Sequence, residues 1–193
     1  MKDLQKTYFP TVKAIKSAAE KLQGIASISP LEEHQRFSDK YHCKMLFKRE
    51  DLQQVRSYKI RGAYNKISSL TNEETKNGIV CASAGNHAIA AAWAAKVENL
   101  SAKVVMQTSA NPFRISLAKT FGAEIIMKEG GVATFAEADK LMREERRTFI
   151  HPFDGLDTTL GAAGVGLELI EDYTELDAIV VAVGGGGLIS GVA

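Results

Sequence analysis

The sequence predicts an α/β fold, with a mainly parallel sheet covered by helices on both faces. Three observations carry that expectation. From residue 79 onward, short apolar runs alternate with amphipathic stretches of roughly ten to fifteen residues, the signature of βαβ units. The run Ala178-Ile179-Val180-Val181-Ala182-Val183 is apolar without a break, which suits a strand buried on both faces. Glycine and serine clusters punctuate the points where strands should pass into helices.

Taken in order, Pro10 opens a helical pattern in which Val12, Ile15, Ala19 and Leu22 recur, and Gly24 ends it. Ser29-Pro30 breaks the chain, and a short helix is expected over residues 31–40. Residues 44–48 read as a strand, and the polar, aperiodic residues 49–56 as a loop. A helix begins at Lys59, where Ile60, Ala63, Tyr64, Ile67 and Leu70 share one face. Strands are then expected at 79–82, 103–106, 124–127, 148–150 and 178–183. Helices are expected at 86–97, 112–121, 132–145 and 160–173. The helix that begins after Gly187 is too short to cover a buried strand, so the chain reads as a piece of something longer.

Composition narrows the function classes. With 24 basic and 23 acidic residues the net charge is +1, and the signs are interspersed, so neither nucleic acid nor a membrane surface is an expected partner. The alanine-rich run 88–95 is too short to span a bilayer. The opening residues Met1-Lys2-Asp3-Leu4-Gln5-Lys6 hold no apolar stretch of a signal peptide. Cys43 and Cys81 lie far apart without metal-ligand spacing, so both are expected reduced and buried, and no metal site is expected. A cytoplasmic location follows from these readings.

Ligands in such sheets bind where strand ends meet helix starts, which singles out three junctions. In the first, a buried strand runs into Gly184-Gly185-Gly186-Gly187-Leu188 and then a helix. Glycines allow close backbone approach, and converging N–H groups suit a phosphate. A dinucleotide fingerprint is ruled out because Ile189 and Ser190 stand where its last glycine would be. No Gly-Lys-Ser/Thr follows, so the segment is not a Walker loop either. Gly161-Ala162-Ala163-Gly164-Val165-Gly166 lacks a strand before it and reads as helix packing or a loop. In the second junction, Ser83-Ala84-Gly85-Asn86-His87, Ser83 and Asn86 can cap the following helix, and the backbone amides suit a carboxylate. In the third, Ser57-Tyr58-Lys59-Ile60-Arg61-Gly62, Ser57 is a plausible N-cap. Gly62 costs the helix about 1 kcal/mol against alanine, which implies a close approach. Lys59 meets the positive end of the helix dipole, favouring the neutral amine that Schiff-base chemistry needs. A reactive lysine, a phosphate cradle and a carboxylate loop together suit pyridoxal 5'-phosphate and an amino acid.

Four motifs carry a resemblance: Lys48-Arg49-Glu50-Asp51-Leu52-Gln53, Ser57 to Asn65, Ser83-Ala84-Gly85-Asn86-His87-Ala88, and Gly184 to Leu188. In order and spacing they resemble the threonine dehydratases, members of the tryptophan-synthase-β-like pyridoxal-phosphate enzymes, over most of the chain from about Ser29. The resemblance implies a fold with three-layer parallel sheets in two domains, incomplete at the C-terminus. Residues 1–70 and 151–193 would belong to the larger, cofactor-binding domain and 71–150 to a smaller, substrate-side one. It implies that Lys59 anchors the cofactor and serves as catalytic base. Asn86 would bond the ring hydroxyl, Gly184, Gly185, Gly186, Gly187 and Leu188 would hold the phosphate, and Ser83, Ala84, Gly85, Asn86 and His87 would receive the substrate carboxylate. It further implies a homo-oligomer, dimer or tetramer, and β-elimination of threonine to 2-oxobutanoate and ammonia, as in isoleucine formation. Serine dehydratase and serine racemase share the core motifs, and a truncated, non-catalytic relative is the rival from another class. Departures from the family pattern are Ile89-Ala90 in place of Gln-Gly, Gly161-Ala162-Ala163-Gly164 in place of Gly-Gln-Gly-Thr, and Gln107 where proline is usual. The group that contacts the pyridine nitrogen is expected beyond residue 193.

Overall fold

A computed structural model describes residues 10–173 and 175–193. The expectations placed on Met1 to Lys6 lie outside the described residues. Helix α1 (Val12–Lys21) starts on Thr11, whose side chain accepts from Ala14 N. Two short antiparallel strands, β1 (Leu31–Glu33) and β2 (Leu46–Lys48), flank helix α2 (Gln35–Tyr41). The helix expected over 31–40 therefore begins later, because Leu31 to Glu33 pair with an available strand edge. A 3-10 turn (Glu50–Leu52) leads to α3 (Lys59–Ile67) and the single turn α4 (Asn72–Thr75).

A four-stranded parallel sheet follows. It comprises β3 (Ile79–Ala82), β4 (Ala102–Gln107), β5 (Glu124–Lys128) and β6 (Thr148–Phe149), in the order β5-β4-β3-β6. Its helices are α5 (Asn86–Val97), α6 (Pro112–Thr120) and α7 (Gly130–Glu144). Alternation along the strands sorts the core into two layers. Ile79, Cys81, Val104 and Met106 pack with the alanines of α5, while Val80, Ala82 and Val105 pack against Ala138 and Leu141 of α7. Alanine suits α5 because it lets that helix lie close to the sheet and to α3, whose Ile60 and Ala63 meet Ile89 and Ala90. Helix α8 (Leu156–Asp172) starts four residues earlier than its pattern predicts and packs on α3 and α1. The short α9 (Ile189–Val192) closes the described chain.

The strand expected at 178–183 does not form. Ile179, Val180 and Val183 are exposed, Val180 at 93%. No strand among the described residues lies beside this segment, and apolar composition cannot replace a hydrogen-bonding edge. Cys43 is exposed, against expectation. Cys81 is buried in β3, where desolvation pushes its thiol up to about 12. No described helix is long and apolar enough to cross a membrane.

Candidate functional site

The strand order itself points to the site. From β3 the chain steps outward to β4 and β5, then returns to the opposite edge of β3 as β6. The crevice at the carboxyl ends of β3 and β6 is thus the place where the winding reverses, a general location for ligands in open α/β sheets. The segment after β3 supplies Ser83 to His87, and the segment after β6 supplies His151, Pro152 and Phe153. A hydrogen bond ties the two together, with His87 Nε2 lying 3.0 Å from Ile150 O.

Lys59, His87, Gly187 and Leu188 meet in one narrow cleft, together with Tyr58, Pro152 and Phe153. Residues from all three predicted junctions therefore converge. Lys59 is half-buried, and desolvation lowers its pKa toward the neutral amine. Its Nζ donates to Pro152 O and lies 5.1 Å from the Tyr58 ring centre. Helix α3 does begin at Lys59, but Ser57 is not its cap. Tyr58 holds that position without a side-chain bond, and Ser57 Oγ is buried with no partner among the described residues.

His87 is buried in the first turn of α5, and its pKa falls to about 4, mainly through desolvation. It is therefore a neutral imidazole at ordinary pH. Ser83 Oγ accepts from Gly85 N at 3.2 Å, so it closes the turn rather than capping α5, whose N-cap is Gly85. Ala84 packs partly against the sheet core, while Asn86 opens α5 with an exposed side chain. Asn86 makes no side-chain hydrogen bond among the described residues and does not line the cleft.

The glycine segment divides. Gly184 and Gly185 are exposed, Gly186 has a positive φ of 89°, Gly187 is buried, and Leu188 lines the cleft with it. A Cβ on Gly185 would overlap the Phe153 ring, and one on Gly187 the Phe153 backbone. Only glycine lets this segment lie so close to the loop after β6. The other glycine motif serves helix packing: a Cβ on Gly161 would overlap the Arg61 carbonyl, and one on Gly62 would stand 2.7 Å from Thr158 O. The close approach inferred at Gly62 is made by α8.

These features fit a phosphorylated aldehyde. The cleft holds a shielded amine and glycine backbone, and no carboxylate lines it. Sequence reasoning missed Tyr58, Pro152, Phe153 and Thr158 in the cleft wall, whereas Ala162 belongs to a motif already singled out as a departure from the family pattern. The motif His151-Pro152-Phe153-Asp154 after a short strand was the available signal.

Comparison with known proteins agrees. The sequence profile of the "Pyridoxal-phosphate dependent enzyme" family matches residues 23–193. Phenylserine dehydratase of Ralstonia pickettii is 37% identical over 192 residues, covering 100% of this chain and 59% of that protein. Biosynthetic L-threonine dehydratase of Bacillus subtilis is 40% identical over 186 residues, covering 94% of this chain and 44% of that one. The chain thus spans about half the length of the curated relatives it matches. Among solved structures, maize serine racemase superposes with a TM-score of 0.91 at 33% identity, covering 96% of this chain and 57% of that one. Threonine deaminase isoform 2 of Solanum lycopersicum gives 0.85 at 33%, covering 95% and 52%. The match over residues 23–193 and the likeness in fold together place the chain among the pyridoxal-phosphate dependent enzymes.

Proposed function

We propose that the chain carries the lysine, phosphate and carboxylate subsites of an amino-acid dehydratase that converts L-threonine, or the smaller L-serine, to a 2-oxo acid and ammonia. One observation carries this reading: the half-buried, charge-disfavoured Lys59 amine shares a cleft with Gly187, Leu188 and the neutral His87.

Lys59 would hold pyridoxal phosphate through its amine. The backbone of Gly184, Gly185, Gly186, Gly187 and Leu188 receives the phosphate, and Asn86 meets the ring hydroxyl. The turn Ser83, Ala84, Gly85, Asn86, His87 receives the substrate carboxylate. Pro152 and Phe153 lie between the amine and Gly185, so they give way when the site fills. Bound cofactor supplies an electron sink that stabilises negative charge at the substrate Cα. The Lys59 amine, neutral and shielded, would take the Cα proton of the substrate. The β-hydroxyl departs, and water hydrolyses the unsaturated product to 2-oxobutanoate and ammonia. His87 stays uncharged and orients the turn through Ile150 O. Residues 71–150 form the smaller, substrate-side unit, and 1–70 with 151–193 the larger one. The working protein is a cytoplasmic homo-oligomer.

Two observations bear on the substrate. Similarity to a serine racemase and a phenylserine dehydratase keeps other β-hydroxy amino acids in view. A second reading, cofactor binding without turnover, is favoured by the exposure of Val180 and Val183 just before the glycine segment.

The test is direct. The purified chain is incubated with pyridoxal phosphate, reduced with borohydride, and the cofactor-bearing peptide is mapped. Label on Lys59 is expected, and its loss in Lys59→Ala. Label on another lysine overturns the reading. Labelled Lys59 with 2-oxo acid from threonine supports dehydration, whereas labelled Lys59 without product supports binding alone.

A further inference from the structure

Arg61 stands two residues after Lys59, in the same first turn of α3, and is only 3% exposed. Its guanidinium makes a two-pronged bond to Glu50, with Nε to Oε2 at 2.9 Å and Nη2 to Oε1 at 2.8 Å. A second pair of bonds runs to Glu168 of α8, with Nη1 to Oε1 at 2.6 Å and Nη2 to Oε2 at 3.0 Å. Nη2 also donates to Ser27 O at 3.2 Å. Lys48 completes the cluster, 2.8 Å from Glu168 and bonded to Ser29 O. Lys48 also meets the more exposed Asp172 at 3.0 Å, so two cations face three carboxylates, and each buried charge has an opposite partner, the condition under which buried charge is tolerated.

The same turn lacks the usual restraint. Among the described residues no side chain caps α3, and Ser57 Oγ has no partner. Besides the packing of Ile60, the turn is tied down by the Arg61 side chain and by the close approach of its carbonyl to Gly161 of α8. Thr158 and Ala162 of α8 form the wall behind the Lys59 amine. The distance between α3 and α8 therefore sets how far that amine is withdrawn from water. The other groups facing it are the Tyr58 ring, His87 and His151.

We propose that Arg61 is a positioning residue: forked between Glu50 and Glu168, it fixes the first turn of α3 and thereby holds the Lys59 amine in the cleft it shares with Gly187 and Leu188. The proposal rests on Lys59 being the cofactor anchor. The planar fork is essential, because lysine carries the same charge but cannot bridge two carboxylates bidentately.

Two charge-conserving variants test it, Arg61→Lys and Glu168→Asp, each checked for folding by circular dichroism. Two readouts are taken. One is the fraction of Lys59 trapped by borohydride with pyridoxal phosphate. The other, with no cofactor present, is the pH midpoint at which Lys59 reacts with acetic anhydride, read by peptide mapping. Expected are a fall of about tenfold in trapping, since small misplacements of reacting groups cost rate steeply, and a rise of about one pH unit in the midpoint as water reaches the amine. A merely structural role lowers the melting temperature but leaves the midpoint unmoved, and that result overturns the proposal. Loss of fold in both variants also overturns it, because the cluster then holds the fold rather than the lysine. If the parent chain is not labelled on Lys59, the anchor reading fails instead, and the two failures are distinguishable.

Discussion

Two apolar runs of the molecule read alike and end differently. Ile79-Val80-Cys81-Ala82 and Ala178-Ile179-Val180-Val181-Ala182-Val183 are both continuous, β-branched and followed by a glycine turn and a helix. The first becomes β3, buried on both faces between α5 and α7, with parallel neighbours on either edge. The second forms no strand and leaves Val180 at 93% exposure. The difference lies in the company each run keeps. A strand needs at least one neighbour for its N–H and C=O groups, and an unbroken apolar run needs cover for both faces as well; of these two runs only β3 has both.

That comparison can be broken by putting a charge in each place. Val80→Asp is expected to cost more than about 4 kcal/mol, because it buries an unpaired carboxylate between sheet and α7. Val180→Asp is expected to stay within about 0.5 kcal/mol, the range of surface changes. Urea denaturation of both variants checks the pair, and equal costs would mean that residues 178–183 are buried in solution.

A second contrast sharpens at the carboxyl edge of β3, where His87 is buried and held neutral, with its pKa down to about 4. The unfolded chain binds this proton near 6.5, so as pH falls below that value protons favour the unfolded state. Stability from this group is intact above about pH 6.5, is lost on acidification, and levels off below about 4, with about 3 kcal/mol at stake. His87→Asn should flatten that slope between pH 7 and 4, measured by urea melts at each pH. An unchanged slope would mean that His87 titrates normally.

The smallest effect separates the two glycine motifs. Gly161→Ala would drive a methyl into the Arg61 carbonyl and part α3 from α8, at about 2 kcal/mol by the usual cost of overpacking. Gly184→Ala meets open space and should change stability by less than about 0.5 kcal/mol. Thermal melting of the two variants reads the difference.

Much of the fold was legible because its elements are locally specified. The periodicity of Ile60, Ala63, Tyr64 and Ile67 placed α3, the helix expected from Pro112 is α6, and the alternating runs marked four parallel strands along the chain. Elsewhere local preference was overruled. Leu31 to Glu33 joined a strand edge offered by Leu46 to Lys48, and Ser57 faced inward instead of capping. The site was legible as three motifs but not as a shape. Pro152 and Phe153, which separate Lys59 from Gly185, carry no signal of that place in their own residues.

The sequence by itself determined the chemistry: a lysine at a helix start, a run of glycines, a serine-glycine-asparagine turn, and the periodicities that order them along a parallel sheet. These are short-range properties, readable from neighbours within one or two turns. Only the tertiary structure decided the rest. It reversed the winding between β3 and β6, brought Lys59, His87 and Gly187 to one cleft, and left residues 178–183 without a partner strand. It also joined Arg61 to Glu50 and Glu168, 11 and 107 residues away. A buried charge finds its partner by where the chain folds it, and no local pattern records that distance.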